Sequence, residues 1–359
     1  MSKKTTFPQM AKENNATMEM NSTLDAVQSI YYISKIFELS ADIIILTAGV
    51  IGNVLIIFFF TKLRIFRGNQ CAYYLKICAI TDMGVVIAML PSNIVGYLIN
   101  EILARLTVIW CKIQLMSSYS CGLYSLYTIC FIALDQYLST NHRQIWRQMS
   151  TIRLAHCLSY FNMSVAVFHG ILFLIFAEIG IIGCTIYHPI ARIYFTFFYY
   201  PILSGVLPLA ISSTLGLLAY RNVRRIIRRQ IPVVRRRLDR QMTAIALARV
   251  LCIFILGVPF LLASLVEANT IYSFQDPRGR AILSFIVKIT YTLLYVNHAI
   301  NFYVFLIISP RFRHQIKNFI LKKRSRQVTR VCNQEVVSPV NNQSTPENDP
   351  CRVSVLESV

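Results

Sequence analysis

The sequence predicts an all-α membrane protein, in which seven transmembrane helices form a bundle and a short amphipathic helix lies on the membrane surface after the last span. Hydrophobic residues make up 55% of the 359 residues and charged residues 14%, whereas soluble domains carry roughly 25% charged residues. Apolar runs of the length that crosses a bilayer as a helix recur seven times. Basic residues concentrate between those runs, as they do in membrane proteins.

Each of the seven runs is justified by its length and its lack of charge. Five runs have uncharged cores, and these are Ile43–Thr61, Ile113–Leu134, Leu154–Ala177, Ile193–Tyr220 and Ile289–Pro310. The second run, Tyr73–Ile99, carries Lys76 at its edge and Asp82 inside, and the sixth has its uncharged core at Val250–Val266 after a basic approach. We expect Asp82 to be the only acidic residue deep in the bundle.

The runs divide the chain into three parts. Residues 1–38 form an N-terminal extracellular segment, residues 39–321 form the bundle with its amphipathic helix, and residues 322–359 form a tail whose polar composition predicts disorder. The amphipathic helix is predicted because Phe312, Ile316, Phe319 and Ile320 share one helical face among basic residues.

Positive charge predicts the orientation, because cytoplasmic loops hold an excess of Lys and Arg. Nine arginines lie within Arg221–Arg240, and seven basic residues lie within Arg311–Arg326. The formal net charge of +20 therefore indicates topology and attraction to anionic lipids rather than nucleic-acid binding. We expect a multi-pass plasma-membrane protein with an extracellular N-terminus and a cytoplasmic C-terminus. Asn15 and Asn21 begin glycosylation sequons in the exterior segment.

The cysteines give no sign of a metal centre. Ten cysteines lie singly along the chain, with no CxxC pair and no Cys/His cluster at zinc-ligand spacing. We therefore expect neither a metal site nor a disulfide-dense scaffold.

Several motifs occur in register along the helices. They are Gly52-Asn53-Val54, Asp82, Cys111, Asp135-Gln136-Tyr137, Pro208, Pro259 and Asn301-Phe-Tyr-Val-Phe305. In order and spacing they match the hallmarks of rhodopsin-like (class A) G-protein-coupled receptors, and the chain from about Ser40 to Leu321 resembles that family. The resemblance implies a receptor, not an enzyme, that passes the signal of an extracellular ligand to heterotrimeric G proteins, with arrestin as a further partner. It implies no cofactor other than the sodium ion discussed below. It also implies a disulfide between Cys111 and Cys184; the alternative is two unrelated free thiols.

The resemblance assigns partners to Asp82. An ionisable side chain is costly inside a membrane helix, so Asp82 is expected to have a function. The family's partner positions are Ser125, Asn297 and Asn301 in this sequence. Together with Asp82 they imply a site for an allosteric Na⁺ that stabilises the inactive arrangement; the alternative is a purely structural hydrogen-bonded cluster.

The chain departs from the family at its switch positions. Those positions are Asp135, Gln136, Tyr137, Asp239, Pro259 and Phe305. Gln136 replaces an arginine, so its restraint with Asp239 would be weaker than an ion pair. This change predicts either raised basal activity or reduced coupling. Phe305 replaces a tyrosine, and Gly257 stands where the family usually has a tryptophan.

The ligand class follows from further positions of the family. Ser118 stands where amine receptors carry an aspartate, and Tyr295 stands where opsins carry a lysine, so neither an amine nor retinal is favoured. The expected ligand pocket consists of Gln114, Ser118, Tyr119, Tyr199, Tyr291 and Tyr295. With Glu267, Asp276, Arg278 and Arg280 near its entrance, this pocket favours a peptide. The alternative is that these charges are solvated and the tyrosines lie at the bilayer interface.

Two other functions stay open. Because Gln136 and Phe305 alter the coupling motifs, a seven-helix ligand scavenger or scaffold without G-protein coupling is one alternative. A transporter is less favoured, because transporters place several buried charges along a pathway.

Overall fold

The computed structural model describes residues 7–63, 66, 68–98, 108–180, 183–228, 233–270, 276–310, 312–319 and 321. Seven helices within these ranges are long and apolar enough to cross a bilayer, and we number them as spans in chain order. The spans are Met20–Lys62, Gln70–Tyr97, Val108–Thr140, Ile152–Phe176, Pro189–Arg225, Thr243–Val266 and Pro277–Ala299. The predicted seven-helix bundle is therefore confirmed.

The first three spans belong to long, unbroken helices. These helices are Phe7–Lys62, Gln70–Leu98 and Val108–Thr140. The first has no glycine or proline between Pro8 and Gly49, so nothing in its backbone chemistry stops the helix there. The boundary predicted at residue 38 accordingly falls inside a continuous helix.

Between the third and fifth spans the chain forms a short helix, the fourth span and a hairpin. The short helix is Gln144–Met149 and the fourth span is Ile152–Phe176, capped by the Thr151 hydroxyl. Ala177, which was predicted to end the fourth span, instead begins β1 (Ala177–Gly180). Strand β1 pairs antiparallel with β2 (Gly183–Ile186).

The fifth span changes its helical form along its length. It begins as the helix Pro189–Tyr194, continues as a π-helix at Phe195–Val206 and ends as the α-helix Leu207–Arg228. Pro201 lies inside the π-helical segment and has no backbone N–H with which to continue an α-helical ladder. A wider turn is one way in which a membrane helix accommodates such an interruption.

The sixth and seventh spans begin earlier than their uncharged cores. The sixth lies in the helix Val233–Thr270, and the seventh is Pro277–Ala299, which breaks at Ile300 and continues as Asn301–Ile308. Asp276, predicted near a ligand entrance, caps the seventh span by accepting hydrogen bonds from the backbone N–H groups of Arg278 and Gly279, at 3.0 and 2.9 Å.

The segment after residue 308 forms a separate unit. Its residues 312–319 are helical, with Phe312 buried and Ile316 and Phe319 half-buried, while Arg313 and Lys317 are exposed. This is the predicted amphipathic helix; Ile320 and the tail at 322–359 lie outside the described residues.

The third span occupies the centre of the bundle. It packs against the second, fourth, fifth and sixth spans, and Leu123, Ile129 and Ile132 are at most 1% exposed. Large apolar side chains such as Ile44 and Phe161 are exposed on the outside, as expected of a surface that faces lipid.

Candidate functional site

The third span carries a recognisable group at each end. Near one end, Cys111 forms a disulfide with Cys184 of β2, with a Cα–Cα distance of 5.7 Å, which confirms the predicted pairing. Near the other end lies Gln136. We call these two ends of the bundle the disulfide end and the Gln136 end. The disulfide ties β2 to the third span and so fixes one wall of the space beside it.

A cavity of about 310 Å³ lies at the disulfide end, and we call it the outer cavity. Its polar lining includes Glu38, Asp42, Asn93, Tyr97, Thr185 and Lys288. The first, second and seventh spans and β2 therefore all contribute polar atoms to one space.

The two carboxylates of the outer cavity differ in their partners. Glu38 pairs with Lys288 Nζ at 2.8 Å and accepts a hydrogen bond from the Tyr97 hydroxyl. Asp42 is 3% exposed and accepts a hydrogen bond from Asn93 Nδ2 at 3.2 Å. Within the described part of the chain, no Lys, Arg or His forms an ion pair with Asp42. The expectation that Asp82 is the only acidic residue deep in the bundle is therefore wrong. It was based on the uncharged run Ile43–Thr61, and Asp42 lies one residue before that run.

A second cavity of about 140 Å³ lies deeper in the bundle, and we call it the deep cavity. The residues that line both cavities are Met89, Tyr119, Tyr200, Tyr291 and Tyr295. The deep cavity reaches Asn297 and His298. Gly257 also lines it, and a Cβ atom added there would come no closer than 3.8 Å to Ile253. The absence of a tryptophan at this position therefore leaves open space.

Five of the six predicted pocket residues line these cavities. They are Ser118, Tyr119, Tyr199, Tyr291 and Tyr295. Gln114 instead donates a hydrogen bond to the sulfur of Met89 at 3.5 Å.

Two aromatic residues that were not predicted from the sequence, Phe173 and Tyr200, contact Tyr119. Phe173 stacks on Tyr119 with ring centroids 3.9 Å apart, and the Tyr200 hydroxyl donates to that of Tyr119 at 2.8 Å. A shared wall of rings therefore separates the two cavities.

Asp82 lies at the centre of a buried polar cluster and is 0% exposed. Its Oδ1 accepts a hydrogen bond from Ser125 Oγ at 2.5 Å, and its Oδ2 accepts one from Asn301 Nδ2. Two of the three predicted partners are thus in contact with it. Asn297 takes part through its backbone carbonyl, which accepts a hydrogen bond from Arg249 Nη1 at 3.1 Å.

Arg249 and His298 complete this cluster, and the sequence analysis did not predict either of them there. The Arg249 guanidinium, 1% exposed, places Nη2 3.5 Å from Asp82 Oδ2. His298 Nδ1 lies 2.6 Å from Asp82 Oδ1. In the sequence Arg249 belongs to the basic approach before the uncharged core, but the sixth span begins at Thr243. The available signal was that Arg249 is the only Lys, Arg, Asp or Glu within that span.

Hydrogen bonds to Thr243 and Asp135 hold the Gln136 side chain. Its Oε1 accepts from Thr243 Oγ1 at 3.1 Å, and its Nε2 lies 3.4 Å from Asp135 Oδ2. Asp135 Oδ1 accepts a hydrogen bond from Ser150 Oγ at 2.6 Å. The sixth span therefore contacts Gln136 through Thr243, while the side chain of Asp239 lies outside the described residues.

The other predicted switch residues occupy separate places. Phe305 is 1% exposed and packs edge-on against Phe60, with ring centroids 6.2 Å apart. Pro259 lies within the sixth helix, and Tyr137 is half-buried beside Gln136. The lost tyrosine hydroxyl at Phe305 is thus replaced by ring packing.

Of the two sequons, only one has a described side chain. Asn21 is exposed on the first helix, and the side chains of Asn15 and Glu267 lie outside the described residues.

The comparison with known proteins identifies the family. The sequence profile described as 7 transmembrane receptor (rhodopsin family) matches residues 52–304, which is more than half of the chain. No individual curated protein matches the sequence. The matched region contains the Asp82 cluster, the Cys111–Cys184 disulfide and Gln136, whereas Glu38 and Asp42 precede it. The chain belongs to the rhodopsin family of seven-transmembrane receptors.

Proposed function

We propose that this protein is a plasma-membrane receptor that binds an extracellular peptide at the disulfide end and activates a heterotrimeric G protein at the Gln136 end. The observation that carries this proposal is the adjacency of the two cavities. They share a wall of aromatic residues, and the deep cavity reaches His298, whose ring contacts Asp82. A ligand that displaces this wall therefore acts on the buried polar cluster.

The orientation that the proposal requires agrees with redox chemistry and with charge. Disulfides persist in the oxidising exterior, which favours an extracellular disulfide end. Arginine-rich connections favour the cytoplasm, and the fifth helix ends at Arg228, within the arginine-rich segment predicted between the fifth and sixth spans. The N-terminus is then extracellular and the C-terminus cytoplasmic.

The charges of the outer cavity favour a ligand with a basic group. Two carboxylates, Glu38 and Asp42, face one ammonium group, Lys288. Lys288 already pairs with Glu38, so the carboxylate of Asp42 is left to attract a cation. A peptide supplies such a group as an arginine or lysine side chain or as its amino terminus, and it can also pack on the tyrosine wall.

Signal transfer uses the hydrogen bonds and the ion pair that connect the sixth span to its neighbours. Thr243 joins this span to the third span, and Arg249 joins it to the second and seventh spans. The Thr243–Gln136 hydrogen bond is neutral, so breaking it costs only about 0.5–1.5 kcal/mol. A ligand that favours the open arrangement can therefore separate the sixth span from the third at the Gln136 end.

Nucleotide exchange on purified G proteins tests this proposal. The receptor is reconstituted in lipid, challenged with peptides selected for binding to it, and compared with its Gln136→Arg variant on a panel of G proteins. We expect ligand-stimulated exchange from the native receptor, and faster exchange from the variant because an arginine adds a charged contact for the G protein. Gln144→Arg, which adds the same charge at an exposed position nearby, controls for charge alone.

Two results would count against coupling. Peptide binding without exchange from either receptor would support a ligand scavenger or scaffold. Exchange from the Gln136→Arg variant alone would show that the native chain binds its ligand without signalling.

A further inference from the structure

The polar cluster around Asp82 contains a cation that belongs to the protein itself. The Arg249 guanidinium places Nη2 3.5 Å from Asp82 Oδ2 and 3.8 Å from the Cys78 sulfur, and Nη1 donates to the Asn297 carbonyl at 3.1 Å. Arg249 lies in the sixth span, whereas its partners lie in the second and seventh. One buried side chain therefore connects three helices.

The Asp82 carboxylate is fully engaged by protein groups. Oδ1 receives Ser125 Oγ and His298 Nδ1, at 2.5 and 2.6 Å. Oδ2 receives Asn301 Nδ2, the Cys78 thiol and the Arg249 guanidinium. An ionised carboxylate offers about four lone-pair sites, and these five groups occupy them. No oxygen of Asp82 remains for another ligand.

The side-chain oxygens of Asn297 and Asn301 are buried and have no hydrogen-bond donor among the described residues, and oxygen atoms of this kind suit a hard cation. The carboxylate, however, is the only negative charge of the cluster, and Arg249 already neutralises it. A sodium ion bound here would lie beside a guanidinium in a region of low dielectric, where like charges repel strongly. The residues therefore do not fit the sodium ion that the family resemblance implied.

We infer that Arg249 takes the place of sodium in this receptor, as a counter-ion of Asp82 that is covalently part of the sixth span. A dissolved ion enters and leaves its site according to its concentration, but Arg249 stays with its helix. The cluster is therefore indifferent to sodium, and any movement of the sixth span away from the second acts directly on the Asp82–Arg249 ion pair. This inference depends on the buried geometry and does not require G-protein coupling.

Thermal unfolding in matched salts tests the inference. The purified receptor is melted in about 150 mM NaCl or KCl, so that ionic strength is constant and only the cation differs. We expect the same Tm in both salts for the native receptor. Arg249→Met removes the internal cation and leaves the Asp82 carboxylate beside the side-chain oxygens of Asn297 and Asn301. The Tm of this variant should therefore be roughly a few °C higher in NaCl than in KCl.

Two further variants control the experiment. Arg249→Lys keeps a cation at this position and should melt at the same temperature in both salts. Asp82→Asn combined with Arg249→Met removes both charges, so it should fold and show no preference for sodium.

The inference fails on either of two results. One is a saturable, sodium-specific rise in the Tm of the native receptor. Because this measurement needs no variant, it tests the inference even if Arg249→Met does not fold. The other is a folded Arg249→Met protein that melts at the same temperature in both salts.

Discussion

Replacing Arg249 with methionine should destabilise the folded receptor by about 3–5 kcal/mol, the usual cost of removing one partner from a buried ion pair. The side chain is 1% exposed and contacts Asp82, which is 0% exposed, so the variant leaves the carboxylate without its guanidinium partner in a site that water cannot reach freely. The Tm should fall by roughly 10 °C. The measurement is thermal unfolding of the purified receptor in KCl, which avoids any compensation by sodium.

A double-mutant cycle separates the ion pair from other losses of packing. Asp82→Asn with Arg249→Met should be more stable than the sum of the single changes predicts, because neither charge is then left unpaired. Arg225→Met removes an exposed arginine from the fifth helix, and it should change the Tm little. Strictly additive effects of the Asp82 and Arg249 changes would show that the two side chains do not interact.

Replacing Asp42 with asparagine should weaken the binding of a basic peptide by about 10–100-fold, because a charge-assisted hydrogen bond contributes about 1.5–3 kcal/mol. The native carboxylate is buried, lines the outer cavity and, among the described residues, accepts a single hydrogen bond, from Asn93. The measurement is the Kd of arginine-containing peptides selected on the native receptor. Each peptide is paired with a citrulline analogue, which keeps the shape of arginine without its charge.

The controls for this experiment come from the same helix. Asp25→Asn removes an exposed carboxylate further toward the N-terminus and should leave both affinities unchanged. The citrulline peptides should bind the native receptor and the Asp42→Asn variant alike. Equal losses for the arginine and citrulline peptides on Asp42→Asn would refute a charge contact at this residue.

Much of the fold could be predicted because it depends on local properties of the chain. Bilayer crossing requires a continuous apolar helix, so the length and composition of each run were sufficient to locate the spans. The pairing of Cys111 with Cys184 and the contacts of Ser125 and Asn301 with Asp82 came from motif positions. The roles of these positions could be carried over from the family because the order and spacing of the motifs in this chain match those of the family.

The features that were missed depend on single residues and on long-range contacts. An uncharged core by definition begins after a charged residue, and Asp42 and Arg249 each lie one residue before such a core. Whether a residue at that position faces lipid, water or another helix depends on packing between spans. The partnership of Arg249 with Asp82 joins residues in the sixth and second spans, and no local pattern encodes it. The break at Ile300 occurs without a proline, which is the residue that most often marks such a break in a sequence.

The orientation of the bundle underlies the proposed receptor function, and antibody access to terminal tags tests it most directly. In intact cells, a tag on the amino terminus should bind antibody, and a tag on the carboxyl terminus should bind only after the membrane is permeabilised. The reverse pattern would place the outer cavity in the cytoplasm and the arginine-rich segment outside the cell, and would contradict the receptor assignment.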